Sequence, residues 1–76
     1  MKCILYINND YIDKEQLTNH LYNTINSLHM KQIEFETQGF NSILINTGFD
    51  EDSIVLKTSD GKYLNYNDTI KWLEEI

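Results

Sequence analysis

The sequence predicts an α+β fold, a two-layer sandwich in which two helices lie on one face of a mixed, mostly antiparallel sheet. Three observations predict it. Short apolar or alternating runs, typical of strands, fill most of the chain. One long segment repeats apolar residues at helical spacing, and a glycine-containing turn signal separates the last two strands. The predicted order is β-α-β-β-β-β-α, and with 76 residues the chain forms a single domain, 1–76.

The first strand and the first helix carry the clearest local signals. Residues 2–7 are apolar on both faces, which predicts a central strand that is buried on both sides. Asp13 can cap the segment that follows, and we expect a helix over 13–29. Ile12 and Leu17 have the spacing of a hydrophobic staple. Because the helix can return the chain across the sheet, the first two strands can pair in parallel.

The rest of the chain predicts short strands and a closing helix. Further strand segments are expected at 31–37, 42–47, 53–58 and 62–66. Asp60 and Gly61 predict a type I′ hairpin turn between the last two. The short connections favour an antiparallel meander. A second helix, capped by Asn67 or Asp68, ends the chain.

The charge of the chain excludes some partners. Six cations, all of them lysine, stand against 12 acidic residues, which gives a net charge of −6 and leaves no arginine for gripping phosphate. Direct binding to nucleic acid or to an anionic membrane is therefore not expected. The excess of acid favours a protein partner with a basic surface, or it serves only solubility.

The N-terminal segment and the single cysteine bear on the compartment. The apolar run at 3–7 is shorter than a signal peptide requires, and no stretch approaches the length of a membrane span. Cys3 has no partner for an internal disulfide and is expected to be a buried small hydrophobe. We therefore expect a cytoplasmic protein.

The titratable residues give no sign of a catalytic or metal site. His20 and His29 point to nearly opposite faces of the predicted helix and cannot share a metal ion. The acidic loop 50–52 lacks the alternating ligands and central glycine of a calcium loop. Glu34 and Glu36 share the outward face of one strand, where a solvated pair is more typical than an acid–base pair. The prediction is a protein that is not an enzyme and has no cofactor and no metal.

The function that these features favour is stoichiometric contact with a larger basic protein, which can be a nucleic-acid-handling one. Carboxylates would supply attraction and aromatic side chains would supply buried area. The expected contact residues are Glu34, Glu36, Phe49, Asp50, Glu51, Asp52, Tyr63, Trp72, Glu74 and Glu75. The alternative is a homo-oligomeric accessory or regulatory module of a low-GC bacterium, a homodimer in its simplest form, whose charge serves only solubility.

The general profile of the chain resembles that of phage-encoded inhibitors, anti-CRISPR proteins among them. The shared features are small size, acidity, scarcity of cysteine and a single domain. This resemblance of type implies an inhibitor, and acidic side chains on such a protein can imitate the phosphates of a nucleic acid in a basic groove.

Overall fold

The computed structural model describes residues 1–76, which form four strands and three helices around one mixed sheet. In chain order the elements are β1 (Lys2–Ile7), α1 (Lys14–Met30), β2 (Glu34–Gly39), α2 (Ser42–Asn46), β3 (Ile54–Lys57), β4 (Tyr63–Asn65) and α3 (Tyr66–Glu75). The sheet order is β2-β1-β3-β4. β1 pairs in parallel with β2 and antiparallel with β3, and β3 pairs antiparallel with β4. The predicted α+β class with a mixed, mostly antiparallel sheet is confirmed.

The two faces of the sheet carry separate apolar cores. The main core joins the sheet to α1 and α3 and contains Cys3, Leu5, Leu17, Leu28, Ile33, Ile54, Leu56 and Leu73. The second core lies on the opposite face and contains Tyr6, Leu44 and Val55. Successive residues of β1 thus enter opposite cores, as the alternation of a strand requires. The prediction that β1 is a central strand buried on both sides is confirmed, and so is the burial of Cys3.

Helix α1 begins and ends where its backbone groups find partners. The side chain of Asp13 accepts a hydrogen bond from the Gln16 N–H at 3.0 Å, which confirms the predicted cap. At the other end Gln32 has a φ of 57°, and the Ile33 N–H donates to the Leu28 carbonyl at 2.9 Å. A left-handed residue followed by this bond is a Schellman motif, which ends the helix and turns the chain into β2.

Ile12 does not form the expected hydrophobic staple. Its side chain is 98% exposed, whereas Leu17 is buried in the main core. The spacing was suitable, but the loop that leads into α1 carries Ile12 away from the helix.

The predicted strand at 42–47 is wrong, because this segment forms the short helix α2. The Asn41 side chain accepts hydrogen bonds from the N–H groups of Ile43 and Leu44, at 3.1 and 3.4 Å, and so caps a helical turn. Only Leu44 is buried, in the second core, so α2 lies on the face opposite α1 and α3. The order becomes β-α-β-α-β-β-α, and the antiparallel meander is reduced to the β3–β4 hairpin.

The β3–β4 turn also differs from the predicted type I′ turn. Gly61 has a φ of 90°, but Asp60 does not have a positive φ, which a type I′ turn requires. The Gly61 N–H donates to the Thr58 carbonyl at 3.0 Å, and the Thr58 N–H donates to the Lys62 carbonyl at 2.9 Å. This pattern is a three-residue connection in which a type I turn precedes a left-handed glycine.

Helix α3 begins earlier than predicted. Its cap is Asn65, whose side chain accepts from the Asp68 N–H at 2.9 Å, rather than Asn67 or Asp68. Asn65 is also the last residue of β4, so the strand passes directly into the helix. None of the three helices combines the length and the apolar character that crossing a bilayer requires.

Candidate functional site

Two loops meet at the end of the sheet where β1 finishes and β3 starts. Ile7 and Ile54 are cross-strand partners in the antiparallel β1–β3 pair. The loop that leaves β1 therefore lies beside the loop that enters β3. These two loops carry Asp10, Asp13, Asp50, Glu51 and Asp52, and we call this group the acidic end.

Asn8 holds the two loops together from a buried position. Its side-chain N–H groups donate to the carbonyls of Asp50 and Asp52, at 3.2 and 2.9 Å. Its side-chain oxygen accepts from the Asp10 N–H at 3.1 Å. Its backbone N–H donates to the Ser53 carbonyl at 3.0 Å. One amide side chain therefore sets the separation between the two acidic loops.

An open cavity of about 400 Å³ lies between these loops. Its lining residues are Asn8, Asp10, Tyr11, Ile12, Asp13, Asp50 and Glu51. Carboxylates from both loops surround it, and Ile12 stands almost fully exposed at its edge. The cavity therefore presents negative charge beside an apolar side chain, which is a combination suited to a basic, partly apolar partner surface.

A smaller polar cleft of about 210 Å³ adjoins the cavity and lies between α1, the loop that precedes β3 and the start of α3. The His20 imidazole Nδ1 lies 2.9 Å from the Ser53 hydroxyl. The same ring stacks on Tyr66, with centroids 3.7 Å apart and an interplanar angle of 6°. Asp52 and Glu51 form the adjoining wall of the cleft. His20 thus ties the first turns of α3 to α1 and to the residue that precedes β3.

The pKa values of two side chains at the acidic end and the adjoining cleft, Asp52 and His20, are shifted by their surroundings. Burial raises the pKa of the Asp52 carboxyl, and the neighbouring carboxylates of Glu51, Asp50 and Asp68 raise it further. Burial lowers the pKa of the His20 imidazole, and the Asp13 carboxylate opposes this only in part. The charges that act on Asp52 are all negative, so an approaching cation would lower the free energy of its ionised form.

The structure brings together some of the expected contact residues and separates others. Asp50, Glu51 and Asp52 belong to the acidic end. Glu34 pairs with Lys2 at the start of β1, which is the opposite end of the sheet, and Glu36 follows it on the same strand. Two further expected contacts occupy the last turn of α3, far from its cap at the cleft; they are Glu74 and Glu75.

The expected aromatic contacts are less exposed than a hot-spot role suggests. Phe49 and Tyr63 pack against the second core, with ring centroids 6.2 Å apart. Trp72 packs against the main core. All three are half-buried, so they support the fold and offer a partner only part of their surface.

Sequence reasoning missed several residues of this site. Asp10 and Tyr11 were assigned no role, and Asp13 was treated only as a cap. His20 was considered as a metal ligand, and Tyr66 was not connected with it. The polar residues that follow β1 were a signal, because loops at the end of a central strand often carry function. Their pairing with loop 50–52 required the strand order.

Comparisons with protein-family models, with curated proteins and with solved structures give no match in any of the three. No group of three or more His, Cys, Asp or Glu side chains is arranged to hold a metal ion. The functional argument therefore depends on the geometry of the site itself.

Proposed function

We propose that this protein is a small, non-enzymatic binding protein whose acidic end makes a stoichiometric contact with a basic surface of a larger protein. The observation that carries the proposal is the set of hydrogen bonds made by the Asn8 side chain, which we call the Asn8 clamp. It holds carboxylates from two separate loops around one cavity. A fixed array of like charges keeps its shape before binding, which reduces the ordering cost of association.

The expected contribution of the acidic end is mainly to the rate and specificity of association. Charges of one sign in a cleft steer an oppositely charged partner and raise the association rate, and this effect weakens as ionic strength rises. At physiological salt the screening length is about 8 Å, so only charges close to the contact act strongly. Tyr11 and the exposed Ile12 would supply apolar area at the same place.

An inhibitor of a nucleic-acid-handling protein is the specific form of this role that the resemblance to phage-encoded inhibitors supports. Nucleic-acid-handling proteins bind phosphates in basic grooves, and carboxylates spaced around a cavity can occupy the positions of those phosphates. Competition with nucleic acid for the captured partner, measured by fluorescence anisotropy, tests this form separately from binding itself.

A pair of charge-matched variants tests the contact surface. One variant carries Asp50→Lys, Glu51→Lys and Asp52→Lys, and its control carries Asp60→Lys, Glu74→Lys and Glu75→Lys, which lie outside the acidic end. Both change the net charge equally, but only the first alters the acidic end. With a partner captured from host lysate, the first variant should slow association by about tenfold or more and flatten its salt dependence.

The control should retain most of the association rate. Equal losses in the two variants would show that net charge acts without a specific surface, and unchanged association in the first variant would reject the acidic end.

The alternative, a homo-oligomeric module, is supported by one observation at the other end of α1 and α3. A groove of about 240 Å³ runs beside Ile70 and Leu73, next to Met30, which is 83% exposed. Sedimentation equilibrium at micromolar concentration distinguishes the two roles, because a protein that remains monomeric there does not use this groove for self-association.

A further inference from the structure

Strand β2 forms one edge of the sheet and has a neighbour on one side only. It pairs with β1 along its whole length, from Lys2↔Glu34 to Ile7↔Gly39. The other edge strand, β4, is three residues long, against six in β2. The β2 edge is therefore the longest stretch of backbone in the sheet that is available for a further strand.

The direction of the backbone groups in β2 follows from one hydrogen bond at its end. The Phe40 N–H donates to the Ile7 carbonyl at 3.2 Å, so this residue faces β1. Because backbone groups alternate along a strand, Glu36 also turns its N–H and C=O toward β1. The backbone groups of Phe35, Thr37 and Gly39 then face away from the sheet, where an added strand would bind them.

The two faces of this edge differ in chemistry. Glu34 and Glu36 are exposed on the face that carries α2. On the other face Phe35 is half-buried against the main core, and its ring centroid lies 5.5 Å from that of His29. A strand added here would meet carboxylates at alternate positions on one face and an aromatic surface on the other.

We propose that the β2 edge receives an extended segment of a partner protein in which Lys or Arg alternates with apolar residues. The basic residues would lie beside Glu34 and Glu36, and the apolar residues would cover Phe35. Main-chain hydrogen bonds supply affinity in this mode of recognition, and the alternating side chains supply specificity. The proposal rests on the binding role proposed above, but it uses a surface separate from the acidic end.

A second copy of the chain would bring like charges together in two of the antiparallel registers available at this edge. Two-fold antiparallel pairing centred on Phe35 sets Glu34 of one copy opposite Glu36 of the other, twice over. Pairing centred on Glu36 sets that residue opposite itself. Like charges directly opposite each other destabilise a strand pair, whereas opposite charges stabilise it.

The test uses short synthetic peptides with blocked termini in which Val alternates with Lys or, as the matched control, with Glu. In ¹H–¹⁵N spectra the Lys peptide should shift the amides of Phe35, Thr37 and Gly39 and slow their hydrogen exchange. The Glu peptide should leave these amides unchanged. Shifts confined to the acidic end, or edge protection by both peptides alike, would overturn the proposal.

Two variants separate the charge contribution from the backbone contribution. Replacing both Glu34 and Glu36 by Gln should weaken binding of the Lys peptide by about 2- to 30-fold. The matched pair Glu74→Gln and Glu75→Gln should leave its binding unchanged. Thr37→Pro removes an outward N–H that the fold does not use, and it should abolish the edge shifts.

Undiminished binding by the Glu34/Glu36 variant overturns the proposal even if Thr37→Pro fails to fold. The lysine variant of residues 50–52 tests the acidic end alone and should keep the edge shifts, so failure of either proposal can be told apart from failure of the other. Edge protection without peptide, accompanied by a dimeric mass, would assign this edge to self-association instead.

Discussion

Replacement of Asn8 by alanine should destabilise the whole domain and release the acidic end. The substitution removes a buried side chain that makes three hydrogen bonds, to the carbonyls of Asp50 and Asp52 and from the N–H of Asp10. The two bonds to Asp50 and Asp52 cross between the loop that follows β1 and the loop that precedes β3. Their loss therefore affects the contact between chain segments that are distant in sequence.

The magnitude follows from the number and the exposure of these bonds. A hydrogen bond in a folded protein contributes a net value of about 0.5–1.5 kcal/mol, so three give an upper range of roughly 1.5–4.5 kcal/mol. Asp10 and Asp50 are exposed, and water can replace the lost partner at their backbone groups. We therefore expect a loss of about 2 kcal/mol in the free energy of unfolding, which lowers Tm by roughly 8–16 °C in a domain of this size.

Urea unfolding followed by circular dichroism measures this loss, and Asn9→Ala is the matched control. Asn9 is the same residue type, adjacent and exposed, so its replacement should change the free energy of unfolding by less than about 0.5 kcal/mol. The urea m value should stay constant in both variants. Amide exchange at Asp10 should also become faster in the Asn8 variant. Equal stability of the two variants would refute the clamp.

Three other substitutions test single features of the fold. Gln32→Gly should raise the free energy of unfolding by about 1 kcal/mol in urea titrations, because Gln32 has a φ of 57° and glycine adopts the left-handed region without strain. Thr24→Val should raise the free energy of unfolding by about 1 kcal/mol, and with it Tm, because the buried Thr24 hydroxyl has no hydrogen-bond partner. A lower Tm would show that the hydroxyl is hydrogen-bonded in the folded protein. Asp52→Asn should stabilise the protein at pH 7, because the raised pKa of Asp52 means that its ionisation costs folding free energy. That gain should shrink as pH falls through the folded-state pKa and vanish below the usual value near 3.8, and a gain that persists there would contradict the electrostatic origin.

The features that the sequence predicted correctly depend on residues close together in the chain. The helical spacing after Asp13 and the cap at that residue defined α1, because both the repeat and the capping bond act within a few residues. The continuous apolar run at 2–7 defined β1 as a central strand. Glu34 and Glu36 were correctly expected on the outward face of their strand. The acid excess is a property of composition and needs no fold.

The errors lie where local signals are ambiguous. The run Ile43-Leu44-Ile45 is compatible with a strand and with a short helix. The helix forms because the Asn41 side chain accepts capping hydrogen bonds from the first N–H groups of the segment. Asn65, Asn67 and Asp68 are all good caps, and the end of β4 selected the first of them.

The sequence by itself determined the α+β class, the central strand, the first helix and the negative charge. Only the tertiary structure decided which acids converge. Asp10 and Asp50 lie beside the same cavity because Ile7 pairs with Ile54 and because Asn8 bonds across the two loops. Such pairings join residues far apart in the chain, and their free energy comes from burial and hydrogen bonds that exist only once the sheet is assembled.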